Sequence, residues 1–199
     1  MSDSVHGRLP SLQGFITRPP SPALAAYVQR FWWVEGDGSQ TLDEQMLHPD
    51  GGSGVIFNFA DPLNFDGTQC SLRTLIAGPQ LASARLQLVG EVRMMGVRFH
   101  PGMGDAVFGI GLDELAGFHD ASWPRLGLAH LIDQLAELER DAQQAVVERE
   151  LLWRLRASQA RRTPVQQLLA QIAAEGGRAR LADLLQSVPL GQRQLERLF

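Results

Sequence analysis

Three residues near the C-terminus, Arg193, Gln194 and Arg197, have side chains suited to reading a polyanion. A guanidinium bridges guanine O6 and N7 or grips a phosphate, and a glutamine amide pairs with adenine. The apolar residues around them determine whether they can act together. Leu181, Leu184 and Leu185 repeat at helical spacing, Val188-Pro189-Leu190-Gly191 interrupts, and Leu195, Leu198 and Phe199 resume the repeat. Two short helices joined by a tight turn would bury these leucines against each other. Such a helix-turn-helix leaves Gln192, Arg193, Gln194 and Arg197 on the open face of the second helix, facing DNA. Glu196 opposes that interaction electrostatically.

Other residue types suggest a site for a small molecule. Trp32, Phe57 and Arg98 would line the interior of a small β-structure, with Arg98 meeting an anionic group. An aromatic stripe on strands equally suits an ordinary core, and Arg98 equally suits the surface or a partnership with Asp50. His48, His100, His119 and His130 form no H-x-H or H-E-x-x-H pattern, and there is no cysteine pair, so no metal site is expected. His48 and His100 each precede a proline, which suits turn packing. Gly51-Gly52-Ser53-Gly54 does not match the G-x-S-x-G elbow of a nucleophile. Val107 stands where a dinucleotide loop beginning at Gly102 would need its third glycine. Cys70 has no motif around it. No catalytic residue, enzyme activity or cofactor is expected.

Composition bounds the rest. With 199 residues and 44% hydrophobic content the chain can bury a substantial core in one or two domains. A single cysteine excludes an intramolecular disulfide. There is no signal-peptide pattern and no apolar run long enough to span a membrane, so a cytoplasmic location without membrane attachment is expected. The net charge of −4 conceals an asymmetry. Residues 1–150 hold 10 arginines against 19 acidic residues, whereas residues 151–199 hold 8 against 3. An acidic body with a basic tail suits a sensing or assembly unit joined to a nucleic-acid reader.

The elements that would position these residues follow from periodicity. Residues 1–22, ending in Pro19-Pro20-Ser21-Pro22, are expected to form an extended arm, with a helical turn at 23–27. Aromatic and alternating runs predict strands over 28–35, 45–48, 55–59, 72–77, 84–89 and 92–99. Val55, Phe57 and Phe59 share one face, and Met95, Val97 and Phe99 share another. His48-Pro49-Asp50-Gly51 and His100-Pro101-Gly102 read as turns, and 61–67 as a loop. From residue 104 the period becomes helical, predicting helices over 104–108, 112–116, 125–138, 142–156 and 165–174, with a linker at 158–162. Thr163-Pro164 begins the last helix and Gly176-Gly177 stops it. The expected fold is α+β: an antiparallel, β-rich, small barrel-like sensor domain with a helical connector over 23–157, then an incomplete helix-turn-helix domain over 163–199. One of the two stripes, through Leu128, Leu131, Leu135 and Leu138 or through Leu151 and Leu155, is expected to contribute to a homodimer contact.

The C-terminal stretch resembles the first helix-turn-helix of AraC-type transcription regulators, roughly L-A-x-L-A-x-x-V-G-L-S-x-R-x-L-x-R-x-F. Leu181, Ala182, Leu184, Val188, Leu190, Arg193, Leu195, Arg197 and Phe199 fall on it. Leu185, Pro189 and Gly191 depart from it, and Pro189 cannot adopt the positive φ of the family's turn glycine. Upstream, Phe31-Trp32-Trp33, the Pro49-Asp50-Gly51 turn, Ala77-Gly78-Pro79-Gln80 and Gly96-Val97-Arg98-Phe99-His100-Pro101-Gly102 look like a subgroup of that family with a Pro-Asp-Gly sensor domain. The resemblance implies a regulator that binds DNA as the full-length protein, is modulated by a small effector, and is C-terminally truncated here, weakening DNA binding by this chain. The competing expectation is a stand-alone small-molecule binding or interaction module with a vestigial helix-turn-helix.

Overall fold

The aromatic run Phe31-Trp32-Trp33 lies inside the longest strand of the computed structural model, β2 (Val28–Asp37). The structure describes residues 15–37, 42–111, 114–122, 126–157 and 164–176, with 178, 180, 183, 184, 191 and 193. Strand β2 pairs antiparallel with β9 (Glu91–Phe99), placing Phe31 opposite Val97 and Trp33 opposite Met95. Beyond β9 lie β4 (Gly54–Asn58), β7 (Thr74–Ala77) and β10 (Phe118–Asp120), and β1 (Ile16–Arg18) flanks β2. The six-stranded order is β1-β2-β9-β4-β7-β10. Four further strands, β3 (Leu42–Leu47), β8 (Ala84–Leu88), β5 (Leu63–Phe65) and β6 (Thr68–Cys70), make a second antiparallel sheet in the order β3-β8-β5-β6.

Alternation along the strands builds three layers. One face of the large sheet, with Phe31, Trp33, Val55, Phe57, Met95 and Val97, forms the main core. Leu128, Leu131, Leu135, Val147 and Leu151 cover it from the helical side. The opposite face, with Val34, Val92 and Met94, packs on Leu63 and Leu88 of the small sheet. Phe65 and Phe118 also bridge the sheets, their rings 4.3 Å apart. The expected face of Val55 and Phe57 is therefore buried, but Ile56 behind it is packed as well.

The structure corrects several expectations. Among the described residues no pairing joins the two sheets, so the small barrel is instead a pair of open sheets facing each other. Residues 16–18, assigned to the extended arm, pair with β2 through Ile16 opposite Trp33. The 61–67 loop contains β5 and a tight hairpin. Asp66 and Gly67, at φ 51° and 83°, turn the chain directly into β6. This Asp-Gly pair is the hairpin signal of a two-residue turn requiring φ > 0 at both positions. The helix expected over 125–138 is a 3₁₀ turn (Ala129–Leu131) followed by a short helix. After α1 (Gly104–Phe108), that short helix is α2 (Ile132–Ala136). Its N-cap residue, Leu131, offers no side-chain cap.

Helix α3 (Arg140–Ala157) extends the expected 142–156, and α4 (Pro164–Ala174) stops where Gly176 turns to φ 61°. Arg154 anchors α3. It pairs with Glu150 at 2.8 Å and donates to the carbonyls of Leu126 and Gly127 at 2.8 and 2.9 Å. Leu128, Leu131, Leu135 and Leu151 are buried in the chain's own core, and Leu138 and Leu155 pack against it. Both apolar stripes, one of them expected to face a second copy, are thus used internally. Among the described residues no helix is long and apolar enough to cross a membrane. The linker at 158–162 and most of the stretch 181–199 lie outside the described residues; Leu184 there is buried and Arg193 exposed.

Candidate functional site

Trp32 and Phe57, expected to line one cavity, lie on opposite faces of the large sheet. Phe57 is fully buried in the helix-covered core. Trp32 packs on the side of the small sheet, its indole over Gly96, where any side chain would overlap the ring. Phe15 stacks on it with ring centroids 6.1 Å apart. Arg98 pairs with the carboxylate of Asp50, which also accepts the Gly52 amide at 3.0 Å. Arg98 thus fastens the 48–54 turn to the end of β9. The structure does not bring these three residues together. Of the residues expected to face DNA, Arg193 is exposed, and Gln194 and Arg197 lie outside the described residues.

A different set of residues converges where α4 meets the strand-built body. Strand β9 ends in His100-Pro101-Gly102-Met103, a type II turn. Proline occupies its second position, Gly102 its third at φ 76°, and the Met103 amide donates to the His100 carbonyl at 3.0 Å. Gly102 takes the positive φ the turn needs, and the end of the Leu169 side chain of α4 packs where a larger residue's Cβ would be. The His100 amide donates to the Tyr27 carbonyl at 2.9 Å, tying this turn to the short turn at 22–27.

Gln166 of α4 clasps this turn. Its side chain is buried, with Nε2 donating to the Gly102 carbonyl at 3.1 Å and to the carboxylate of Asp105 on α1. Burial pushes the Asp105 carboxyl above its ordinary pKa, while the Ala106 amide and Gln166 hold it partly down. Leu168 is buried beside the clasp. Between the turns and α4 lies a cleft of about 340 Å³. Ala25, Ala26, His100, Pro101 and Met103 form its body side. Leu169, Ala170 and Ala174 close it from α4. Among the described residues the arrangement offers a mainly apolar recess bordered by His100.

Sequence reasoning missed two glutamines. Gln143 of α3 accepts the Trp33 indole N–H at 2.7 Å and donates to the Leu135 carbonyl at 2.8 Å, bridging sheet and helices inside the core. The available signal was the spacing of Gln143 with Val146, Val147 and Leu151 on one buried face. Gln166 likewise shares a face with Leu169 and Ala170, three and four residues on. Among the described residues no group of three His, Cys, Asp or Glu side chains is placed to hold a metal ion.

Residues 16–119, just over half of the chain, match the family model of a domain of unknown function (DUF6597). The match begins at β1 and ends within β10, so it takes in both sheets and leaves α2, α3 and α4 outside. No curated protein and no solved structure matches the chain.

Proposed function

The chain belongs to the DUF6597 family, and from the pattern of its C-terminal stretch we propose that it is a DNA-binding transcriptional regulator of AraC type. Its β-rich region senses a small molecule, and the residues from 163 onward read DNA. One observation carries this reading: the leucine pattern of the sequence 181–199, which in a helix would set Arg193, Gln194 and Arg197 on one face. Its location in the basic part of an otherwise acidic chain supports it. Arg193 and Arg197 would contact guanine edges or phosphates, and Gln194 an adenine. The protein works by binding and not by catalysis, and needs no cofactor.

The test is an anisotropy titration of the full-length protein against DNA from the flanks of its own gene and against shuffled DNA, at several salt concentrations. A regulator prefers its own site by roughly 10³-fold or more. Its affinity falls steeply with salt as phosphate contacts are lost. Replacing Arg193 or Arg197 by Ala lowers specific binding by about 1–3 kcal/mol for each residue that touches a base. Equal affinity for all DNA, unchanged by these substitutions, favours instead an interaction module with a vestigial helix-turn-helix. Pro189 and Gly191 are the residues that would explain that outcome.

A further inference from the structure

The joint between body and α4 contains space as well as contacts. We propose that the cleft between the 22–27 turn, the His100–Met103 turn and α4 binds a small, mainly apolar organic effector. Its occupancy sets how firmly α4 is held. The cleft is argued from geometry alone, but its regulatory meaning rests on the DNA-binding reading of the segment that follows α4.

Size and lining define the ligand class. An apolar cavity of roughly 150 Å³ holds benzene, so about 340 Å³ admits a one-ring compound with a substituent. Alanines at 25, 26, 170 and 174 create the space, and the buried Met103 gives it an adaptable floor. Among the described lining residues, leucine, methionine, proline and alanine side chains predominate, so the ligand buries mainly hydrocarbon. Sugars, nucleotides and phosphates are disfavoured, because alanine and leucine leave their polar groups without partners.

The same geometry couples binding to α4. The ligand touches both walls only while Leu169, Ala170 and Ala174 are docked, so it binds that state more tightly and shifts the population toward it. Gln166, one turn before Leu169 and Ala170, holds the docked state from beside the cleft.

Benzyl alcohol and benzoate, one uncharged and one singly acidic, serve as probes of the full chain labelled with ¹³C at its five methionine methyls. Each is titrated to about 10 mM, enough to saturate a millimolar site. The expected result is a saturable shift of the Met103 methyl with at least one probe, while Met94 between the sheets stays still. Amide exchange in α4 should slow in parallel. Ala25→Phe and Ala174→Phe plug the cleft from exposed positions that tolerate bulk without disturbing the core. Each should weaken the apparent affinity by about tenfold or more. A silent Met103 with both probes, or a shift that survives both plugs, overturns the proposal. A parallel DNA titration separates the two ideas. A responding Met103 without specific DNA binding keeps the cleft and removes the regulator; specific DNA binding with a silent Met103 does the reverse.

Discussion

The body's core and its joint with α4 are built on different principles. In the core, Phe31, Trp33, Phe57, Met95 and Phe99 are buried from three neighbouring strands and capped by leucines from two helices. At the joint, alanines and a turn glycine face α4, and one glutamine makes the two hydrogen bonds described. A core of large apolar side chains is held by area and gives way only as a whole. A contact of small side chains and a polar clasp is specific in geometry but modest in energy, so it can open without unfolding what it rests on. That difference suits a rigid platform carrying a releasable arm.

Four substitutions break or sharpen this contrast. Phe57→Ala leaves a cavity in the main core and should cost about 3–5 kcal/mol in urea-induced unfolding, with strands and helices melting together. Gln143→Ala strands the indole N–H of Trp33 inside the same core. It should cost about 1–3 kcal/mol, again globally, with a change in tryptophan fluorescence. Gln166→Ala should behave differently. Amide exchange in α4 should quicken by an amount equivalent to about 1 kcal/mol, while the unfolding midpoint of the body stays where it was. A matching loss in body and α4 would show that the joint is part of the core.

The smallest effect is a pH dependence. Because the folded Asp105 carboxyl has a raised pKa, the folded chain takes up its proton more readily than the unfolded chain. The stability it contributes is fully present below the ordinary carboxylate range and is lost as pH rises through the raised value. Asp105→Asn, which keeps an acceptor for Gln166, should flatten that slope in the chain's unfolding free energy followed against pH. A slope that persists would assign it to another group.

The long strands were legible because 28–35, 55–59 and 92–99 are extended runs rich in aromatic and β-branched residues, although burial does not alternate along them because both faces of the sheet are covered. Strands β1, β5, β6 and β10 are three residues each, too short to show a period, and their pairing partners decide them. The placement of Trp32 and Phe57 was illegible for a sharper reason. Trp32 lies opposite Gly96 and Phe57 opposite Met95, neighbours on β9 that point to opposite faces. Relative face depends on register, and register between distant strands is not written in either strand alone. The clasp was hidden likewise, because Gln166 and Asp105 are 61 residues apart and each looks like an ordinary helix surface residue in isolation.

Strand β9 has a consequence for how the chain comes to be folded. It sits between β2 and β4, which never pair with each other, and it follows both in the chain. During synthesis, Val28–Asp37 and Gly54–Asn58 therefore leave the ribosome with apolar faces and open edges, and wait for residues 91–99 before the large sheet can close. Folding is governed by the arrival of this late central strand, a long-range step that is slow by topology. The interval before it emerges is when nascent chains are most exposed to association with one another.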